Sequence, residues 1–436
     1  MTSNDNGGRK LPLSGIRVAD FSWYGAGPIG TQTLAWYGAE VIRIESEARV
    51  DGLRTTQPVP IGKSGYNVSG YYNNFNSNKM SFTLNMSRPE ALNVALRLIA
   101  VSDVVVENYQ AGVFEKWGLT YEAMTEVNSE VIFVRQPVAG TTGPHRDFSA
   151  FGAVMTPITG ISHLSGFEDR PPIGIGTNYP DYVINPGHQV IAILAALRHR
   201  RRTGRGQYVE SAQLESTTPV IGPAIIDYTA NGRVQTRQGN RQENAAPHAV
   251  FPCQSRKMTP PLPGAPPVIG MPPPSGEDED RWIAIAVFTD GQWEALKTVA
   301  GNRDWTSDSR FDTFRGRKQH EDELESAIGR WTHETQAEDL MERLQAAGVP
   351  AGVVQTSEDV LDHDVHLKAR GYYAYLDHPE TGRSAYDSSP FRLSKTPGGA
   401  ERPAPLLGEH TMYVAKDVIG LSDDEIADLV AAQVLH

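Results

Sequence analysis

The chain is expected to fold as an α/β protein built on a parallel sheet, and three stretches carry that expectation. Residues 16–21 (IRVADF) are a short apolar run ending at a glycine-rich turn, Gly25-Ala26-Gly27-Pro28. A helix and a second apolar run, residues 40–44 (EVIRI), come next. A strand–helix–strand unit of this kind implies parallel pairing. The same alternation returns between residues 88 and 134, and a long helix with an apolar face covers 186–202. With 436 residues, 39% of them hydrophobic, the chain can fill the cores of two or more lobes.

The first helix is placed from Pro28, a good opening residue, to about Tyr37, with Gly38 ending it. Residues 88–100 form the next, with Leu92, Ala95, Leu96 and Ile99 on one face. A strand at 103–106, a short helix at 121–127 and a strand at 131–134 complete the pattern. In the 186–202 helix the apolar face includes Val190, Ile193, Leu194 and Leu197, and Asn185 caps it. Residues 259–276 (TPPLPGAPPVIGMPPPSG) have no amphipathic period. They read as an exposed loop, with a partner-binding polyproline segment as the alternative. Beyond it lie a strand at 281–287 (RWIAIAV), helices at 290–300, 321–331 and 335–347, the last closed by Gly348, and a final helix at 423–434.

A formal net charge of −12 sets nucleic acid and anionic membranes aside as partners. No apolar run approaches the ~20 residues of a membrane span, and the polar, glycine-rich residues 1–10 do not read as a signal peptide. Cys253 is the single cysteine, so neither an internal disulfide nor a thiolate metal site is expected. A plain buried thiol is the simpler reading of it, a nucleophile the other. A reducing, cytoplasmic setting fits.

Gly25, Gly27 and Gly30 spell G-x-G-x-x-G after a strand and before a helix, with Glu45 twenty residues beyond Gly25. That spacing fits a dinucleotide fingerprint. It fits equally a tight turn that needs glycine for backbone reasons. Coenzyme A also carries a pyrophosphate that a helix N-terminus would accept.

The surrounding residues decide between them. Residues 15–45 (GIRVADFSWYGAGPIGTQTLAWYGAEVIRIE) resemble the opening of the class III CoA-transferase (CaiB/BaiF) family. So do Asn76-Ser77-Asn78-Lys79 with residues 81–86, 103–118 (DVVVENYQAGVFEKWG), Thr141-Thr142-Gly143-Pro144, 193–207 (ILAALRHRRRTGRGQ), 344–353 (LQAAGVPAGV) and 405–410 (PLLGEH), in the family's order. The resemblance implies a Rossmann-like large domain, a smaller α+β domain and two subunits interlocked like chain links. On that basis residues 1–216 form the N-terminal part of the large domain and 217–237 a linker. Residues 238–350 form the small domain with a Pro-rich insertion at 255–276, and 351–436 a linker returning to the large domain.

The resemblance further implies a CoA transfer between an acyl-CoA and a small organic acid, with coenzyme A as part of the substrate and no tightly bound cofactor. A homodimer is expected, with a heteromer of related subunits as the alternative. The family's nucleophilic aspartate falls on Asp181, the acid in residues 178–187 (NYPDYVINPG). Its spacing to the following helix is one residue longer than in the formyl-CoA transferases. Trp23, Tyr24, Gly25 and Ala26 match positions beside the pantetheine and pyrophosphate. Asn108 and Tyr109 match a pair near the adenine, and Asn78, Lys79 and Lys116 match positions near the phosphates. Arg135 is a candidate for a substrate's second carboxylate. The run 198–205 (RHRRRTGR) reads as cations at a helix C-terminus rather than a phosphate clamp.

Two departures stand out. Residues 239–248 (GNRQENAAPH) replace a glycine-rich lid, and Gln136-Pro137-Val138-Ala139 precede the T-G-P turn. They point away from formate and oxalate, while the stretches NYPDYVINPGH and SGYYNNFNSNK resemble transferases that handle succinyl-CoA and larger dicarboxylic or aromatic acids. Three rival readings remain: an α-methylacyl-CoA racemase, whose histidine would fall within 149–161 where this chain has none, an NAD-dependent oxidoreductase, and a catalytically inactive subunit.

Overall fold

The structure, a computed structural model, describes residues 10–176, 178–265 and 278–436. The chain divides into two units. One comprises Met1–His163, Ile173–Gln235 and His366–His436, the other Leu164–Pro172 and Thr236–Val365.

The first unit is a six-stranded parallel sheet in the order β3-β2-β1-β4-β5-β6. The strands are β1 Arg17–Asp20, β2 Glu40–Glu45, β3 Met80–Thr83, β4 Val104–Glu107, β5 Ile132–Arg135 and β6 Gln207–Glu210. This is the Rossmann-like order, with its reversal between β1 and β4. β3, β4 and β5 are buried at every position, as strands covered on both faces must be. Alternate residues feed the two cores. Ala19, Ile42, Phe82, Val105 and Phe133 pack with the Ala91–Ala100 helix on one face. Val18, Val41, Val104 and Val134 pack with Leu34, Ile193 and Ala196 on the other. Each valine, leucine, isoleucine or phenylalanine among them contributes about 1.5–3 kcal/mol of burial free energy. The chain's end joins the first of these cores through Val414, Ile419, Ile426 and Val434. A two-stranded antiparallel ribbon, β10 Ala374–His378 with β11 Gly382–Tyr386, completes this unit.

The second unit is a three-stranded antiparallel sheet, order β7-β8-β9, of His248–Lys257, Asp278–Ala286 and Ala351–Val353. Helices Asp290–Ala300, Glu321–Thr332 and Ala337–Ala346 pack on it around Trp293, Leu324, Ile328, Trp331 and Leu340.

Several sequence expectations shift. The first helix runs Ala26–Trp36, so Pro28 lies inside its first turn, where the missing N–H costs nothing. The Ala91–Ala100 helix buries Ala91, Val94, Ala95, Leu98 and Ile99, with Leu92 and Leu96 half-buried at the edge of the same core. Asn185 is not a cap, because a π-helical turn, Pro180–Ile184, precedes the Asn185–Thr203 helix. Its side chain instead donates to Gln213 Oε1 at 3.2 Å. Leu194, expected on the buried face, is exposed. Residues 222–231, within the expected linker, form a helix of the first unit (Gly222–Asn231). Of the expected insertion, residues 255–257 are strand and 259–265 an exposed irregular segment, while 266–276 lie outside the described residues.

Candidate active site

Parallel sheets bind ligands beyond the carboxyl ends of their strands, at the point where strand order reverses. A cleft of about 590 Å³ lies there. Phe21 and Trp23 to Ala26 after β1 line it, with Ser46, Ala48 and Arg49 after β2, Leu84 to Ser87 after β3, Asn108 to Gln110 after β4 and Val138 after β5. Asp181 and the segment from Phe148 to Phe151 also border it.

The loop after β1 is held at both ends. Asn108 clamps Trp23, its Oδ1 accepting from the Trp23 N–H and its Nδ2 donating to the Trp23 carbonyl, each at 2.8 Å. Tyr24 has the left-handed φ of 60°, uncommon for a residue with a side chain, and its N–H donates to Asp51 Oδ2 at 3.1 Å. Asp51 is paired with the fully buried Arg43. Gly52 lies under the Tyr24 ring, where a Cβ would come within 2.6 Å of the hydroxyl. Beneath the loop Arg43, Glu45, Arg54, Asp20 and Lys79 form one buried ion-pair network. Burial pushes the Glu45 carboxyl up, but Arg54 and Arg43 outweigh it and hold it at about 2.

Asp181 sits in the π-helical turn, a feature that accommodates one residue more than an α-helical turn. The residue is 8% exposed. Its Oδ2 accepts from the Gly152 N–H at 2.9 Å, and no salt bridge to it occurs among the described residues. Burial raises its carboxyl to about 6 against the pull of that N–H. A buried carboxylate with no cation beside it among the described residues is a candidate functional group. Asn178 fixes the turn from behind: its carbonyl accepts from Asp181 N–H at 2.9 Å, and its Oδ1 from Ala153 N–H at 3.0 Å.

Trp23, Tyr24, Gly25, Ala26, Asn108 and Tyr109 thus share one cleft with Asp181. Asn108, however, has its amide committed to Trp23 and shapes the wall rather than offering free donors. Four other expectations need correction. Lys79 is buried, and its Nζ is engaged by Asp20, the Pro28 carbonyl, Thr31 and Asn76 at 2.8–3.0 Å. Asn78 is spent on the backbone of Gly399, Glu401 and Arg402. Lys116 is exposed at the end of a one-turn helix, Val113–Lys116, and does not line the cleft. Arg135 is paired with both Glu107 and Glu115 and has no guanidinium face left for a substrate.

The glycine fingerprint is a packing device. A Cβ on Gly27 would stand 2.2 Å from Ser22 Cβ, and one on Gly30 1.6 Å from Gln189 Oε1. Glu45 is no ribose acceptor: Arg54, Tyr72 and Ser81 occupy its oxygens. No histidine lines the cleft. Burial pushes the Cys253 thiol up to about 11, far from a thiolate nucleophile. In the arginine run, Arg200 pairs with Asp103 at 2.6 Å and the helix ends at Gly204.

Sequence reasoning missed Arg49, which lines the cleft and stands 5.3 Å over the Trp23 ring, and Gly152 and Phe151. Arg49 was within reach: residues just past each parallel strand are where ligands bind, and Arg49 follows β2. Gly152 carried no local signal, since its role is a backbone N–H.

The model of CoA-transferase family III matches residues 13–259 and 277–411. Among curated proteins, succinyl-CoA–D-citramalate CoA-transferase of Chloroflexus aurantiacus is 31% identical over 97% of this chain and 98% of its own length. Succinate–glutarate CoA-transferase of Agrobacterium fabrum is 30% identical over 94% and 96%. A crystal structure of a CaiB/BaiF family protein from Brucella suis superposes with a TM-score of 0.81 at 29% identity, covering 94% of this chain and all of that one. A Rossmann-like sheet, a cleft at its reversal point and matches along nearly the whole chain agree: this protein belongs to CoA-transferase family III and is a CoA-transferase.

Proposed function

We propose that the protein moves CoA between succinyl-CoA and a small dicarboxylic acid, with Asp181 as the nucleophile. The observation that carries this reading is the position of Asp181: a buried carboxylate at the cleft, paired with no cation and gripped through one oxygen by Gly152. The relatives that act on citramalate and glutarate support the substrate class.

With Oδ2 on the Gly152 N–H, Oδ1 attacks the thioester carbon of the donor. The C–S bond breaks, CoA leaves as thiolate, and a mixed anhydride joins Asp181 to the acyl group. The thiolate then attacks Asp181 Cγ. Negative charge develops on Oδ2, where the Gly152 N–H already donates, so that amide serves as an oxyanion donor. The donor acid leaves, and Asp181 carries CoA as a thioester. The acceptor carboxylate attacks Cγ and expels the thiolate, which attacks the new acyl carbon and restores the free carboxylate. No net proton is exchanged. Trp23, Tyr24, Gly25, Ala26 and Tyr109 line the path of the CoA, and Arg49 supplies a cation for its phosphates.

A second copy of the chain completes the enzyme in this reading. The Gly222–Asn231 helix has no buried residue, with Ile226 66% and Tyr228 58% exposed. So large an apolar exposure fits a subunit interface. A cytoplasmic setting supplies the acyl-CoA.

The test is incubation with succinyl-CoA and a panel of acids, with new thioesters read by mass spectrometry. Transfer is expected with dicarboxylic acids and is abolished in Asp181→Ala. Borohydride added during turnover should reduce the acylated Asp181 side chain, and a label found on another residue would refute the assignment.

A further inference from the structure

Tyr24 and Phe151 meet in the cleft in a way the steps above do not use. The segment carrying Phe151 holds one end of the Asp181 side chain, since the next residue, Gly152, donates its N–H to Oδ2 at 2.9 Å. The segment carrying Tyr24 approaches the other end: a Cβ on the next residue, Gly25, would stand 3.3 Å from Asp181 Cβ. Both rings line the same cleft as Asp181. They close on each other edge to face, with centres 4.9 Å apart. The ring contact therefore bridges the two segments that flank the carboxyl group.

One ring is fixed and the other has room to move. Tyr24 is tied through its N–H to Asp51 at 3.1 Å, and its ring lies against Gly52, where a Cβ would come within 2.9 Å of two ring carbons. Phe151 stands just before the Gly152–Ile158 helix and is half exposed. Parting the rings costs the contact between them, which is the worth of one aromatic pair. An acid that enters offers carbon atoms that offset this loss, and a water molecule offers none. Asp181 is itself buried although it borders the cleft. Burial, and no charged neighbour, raises its carboxyl, so water is already scarce around it.

We infer that Tyr24 and Phe151 are specificity-determining residues that select a carboxylate over water as the acceptor for acylated Asp181. The inference rests on Asp181 as the nucleophile. Between the two half-reactions Asp181 carries CoA as a thioester. Water attacking Cγ would leave its oxygen on the restored carboxylate. The C–S bond would break, CoA would depart as the thiol with one proton of the water, and the other proton would pass to solvent. The net result is hydrolysis of the donor acyl-CoA, a side reaction that a closed site suppresses.

The test measures two rates with succinyl-CoA: release of free CoA thiol without an acceptor acid, and transfer to labelled succinate. In Phe151→Ala the ratio of hydrolysis to transfer should rise about tenfold, the effect of one lost aromatic pair. Tyr24→Ala should raise it as far and the double variant no further, because each breaks the same contact. Tyr24→Phe, which keeps the ring, should stay near the unmodified ratio. An unchanged ratio in Phe151→Ala, or a rise in Tyr24→Phe equal to that in Tyr24→Ala, would overturn the inference. If the unmodified protein neither transfers nor hydrolyses, the transferase reading fails on its own. The ring pair is then decided by the ¹³C resonance of the Asp181 carboxyl, assigned by its loss in Asp181→Asn. A carboxyl that titrates at lower pH in Phe151→Ala than in the unmodified protein supports a water-excluding pair, and identical titrations reject it.

Discussion

Asp181 is held at a cost in stability. Its carboxyl sits near 6 in the folded chain against an ordinary 3.8. Between those values the native state binds the proton that the unfolded chain has released, so stability falls as pH rises from about 4 to 6 and stays lower above it. Asp181→Asn removes the charge while keeping an acceptor for the Gly152 N–H. It should be more stable than the parent at pH 7 by about 1–3 kcal/mol. The gain should vanish below pH 4, as urea melts at both pH values would read. Covalent loading from an acyl-CoA without a free carboxylate should fall on the acid side with an apparent pKa near 6, since only the ionised form attacks. Arg49 works differently. It is exposed over Trp23, so Arg49→Ala should raise the KM for acyl-CoA by about 3- to 10-fold with kcat nearly unchanged, an effect that added salt should shrink.

At the scale of elements, the turn between β1 and the Ala26–Trp36 helix depends on contact distances. Gly27 faces Ser22 Cβ at a distance no side chain tolerates, and Ser22 is too short to swing aside. Gly27→Ala should therefore destabilise the protein by about 1–3 kcal/mol in a denaturant melt, by forcing the helix off the turn. The G-x-G-x-x-G spacing was legible in the sequence, but its purpose was not. Spacing reports that backbone must pass close to something, and only the packed structure shows that the neighbours are Ser22 and Gln189. The π-helical turn is a similar case. Its position just ahead of the Asn185–Thr203 helix is a matter of backbone hydrogen bonding that hydrophobic period does not encode. Four strands of the first sheet, β1, β2, β4 and β5, were readable as short apolar runs, whereas β3 (MSFT) and β6 (QYVE) carry no such run and were not placed.

For the whole molecule, the proposed reading has a second copy cover the exposed Gly222–Asn231 helix. Ile226→Glu should shift the protein from dimer towards monomer in sedimentation equilibrium and lower transfer activity in parallel, because a charge in a desolvated interface is costly. A monomeric parent protein would remove that reading. The helices of the second unit were legible in the sequence, though the part played by β7 was not. Residues 248–257 (HAVFPCQSRK) alternate only weakly and pair with β8 across the proline-rich stretch.

The sequence alone determined the α/β class, four of the six strands of the parallel sheet, the family resemblance and, through it, Asp181 as the carboxylate to examine, because these follow from local periodicity and from motifs that recur in order along the chain. Which charged groups remain free was decided only by tertiary structure. Lys79 and Arg135 look like ligand-binding cations until the fold sets Asp20 against one and two glutamates against the other. The pairing of charges depends on distances between residues remote in the chain, and a linear order of residues does not contain those distances.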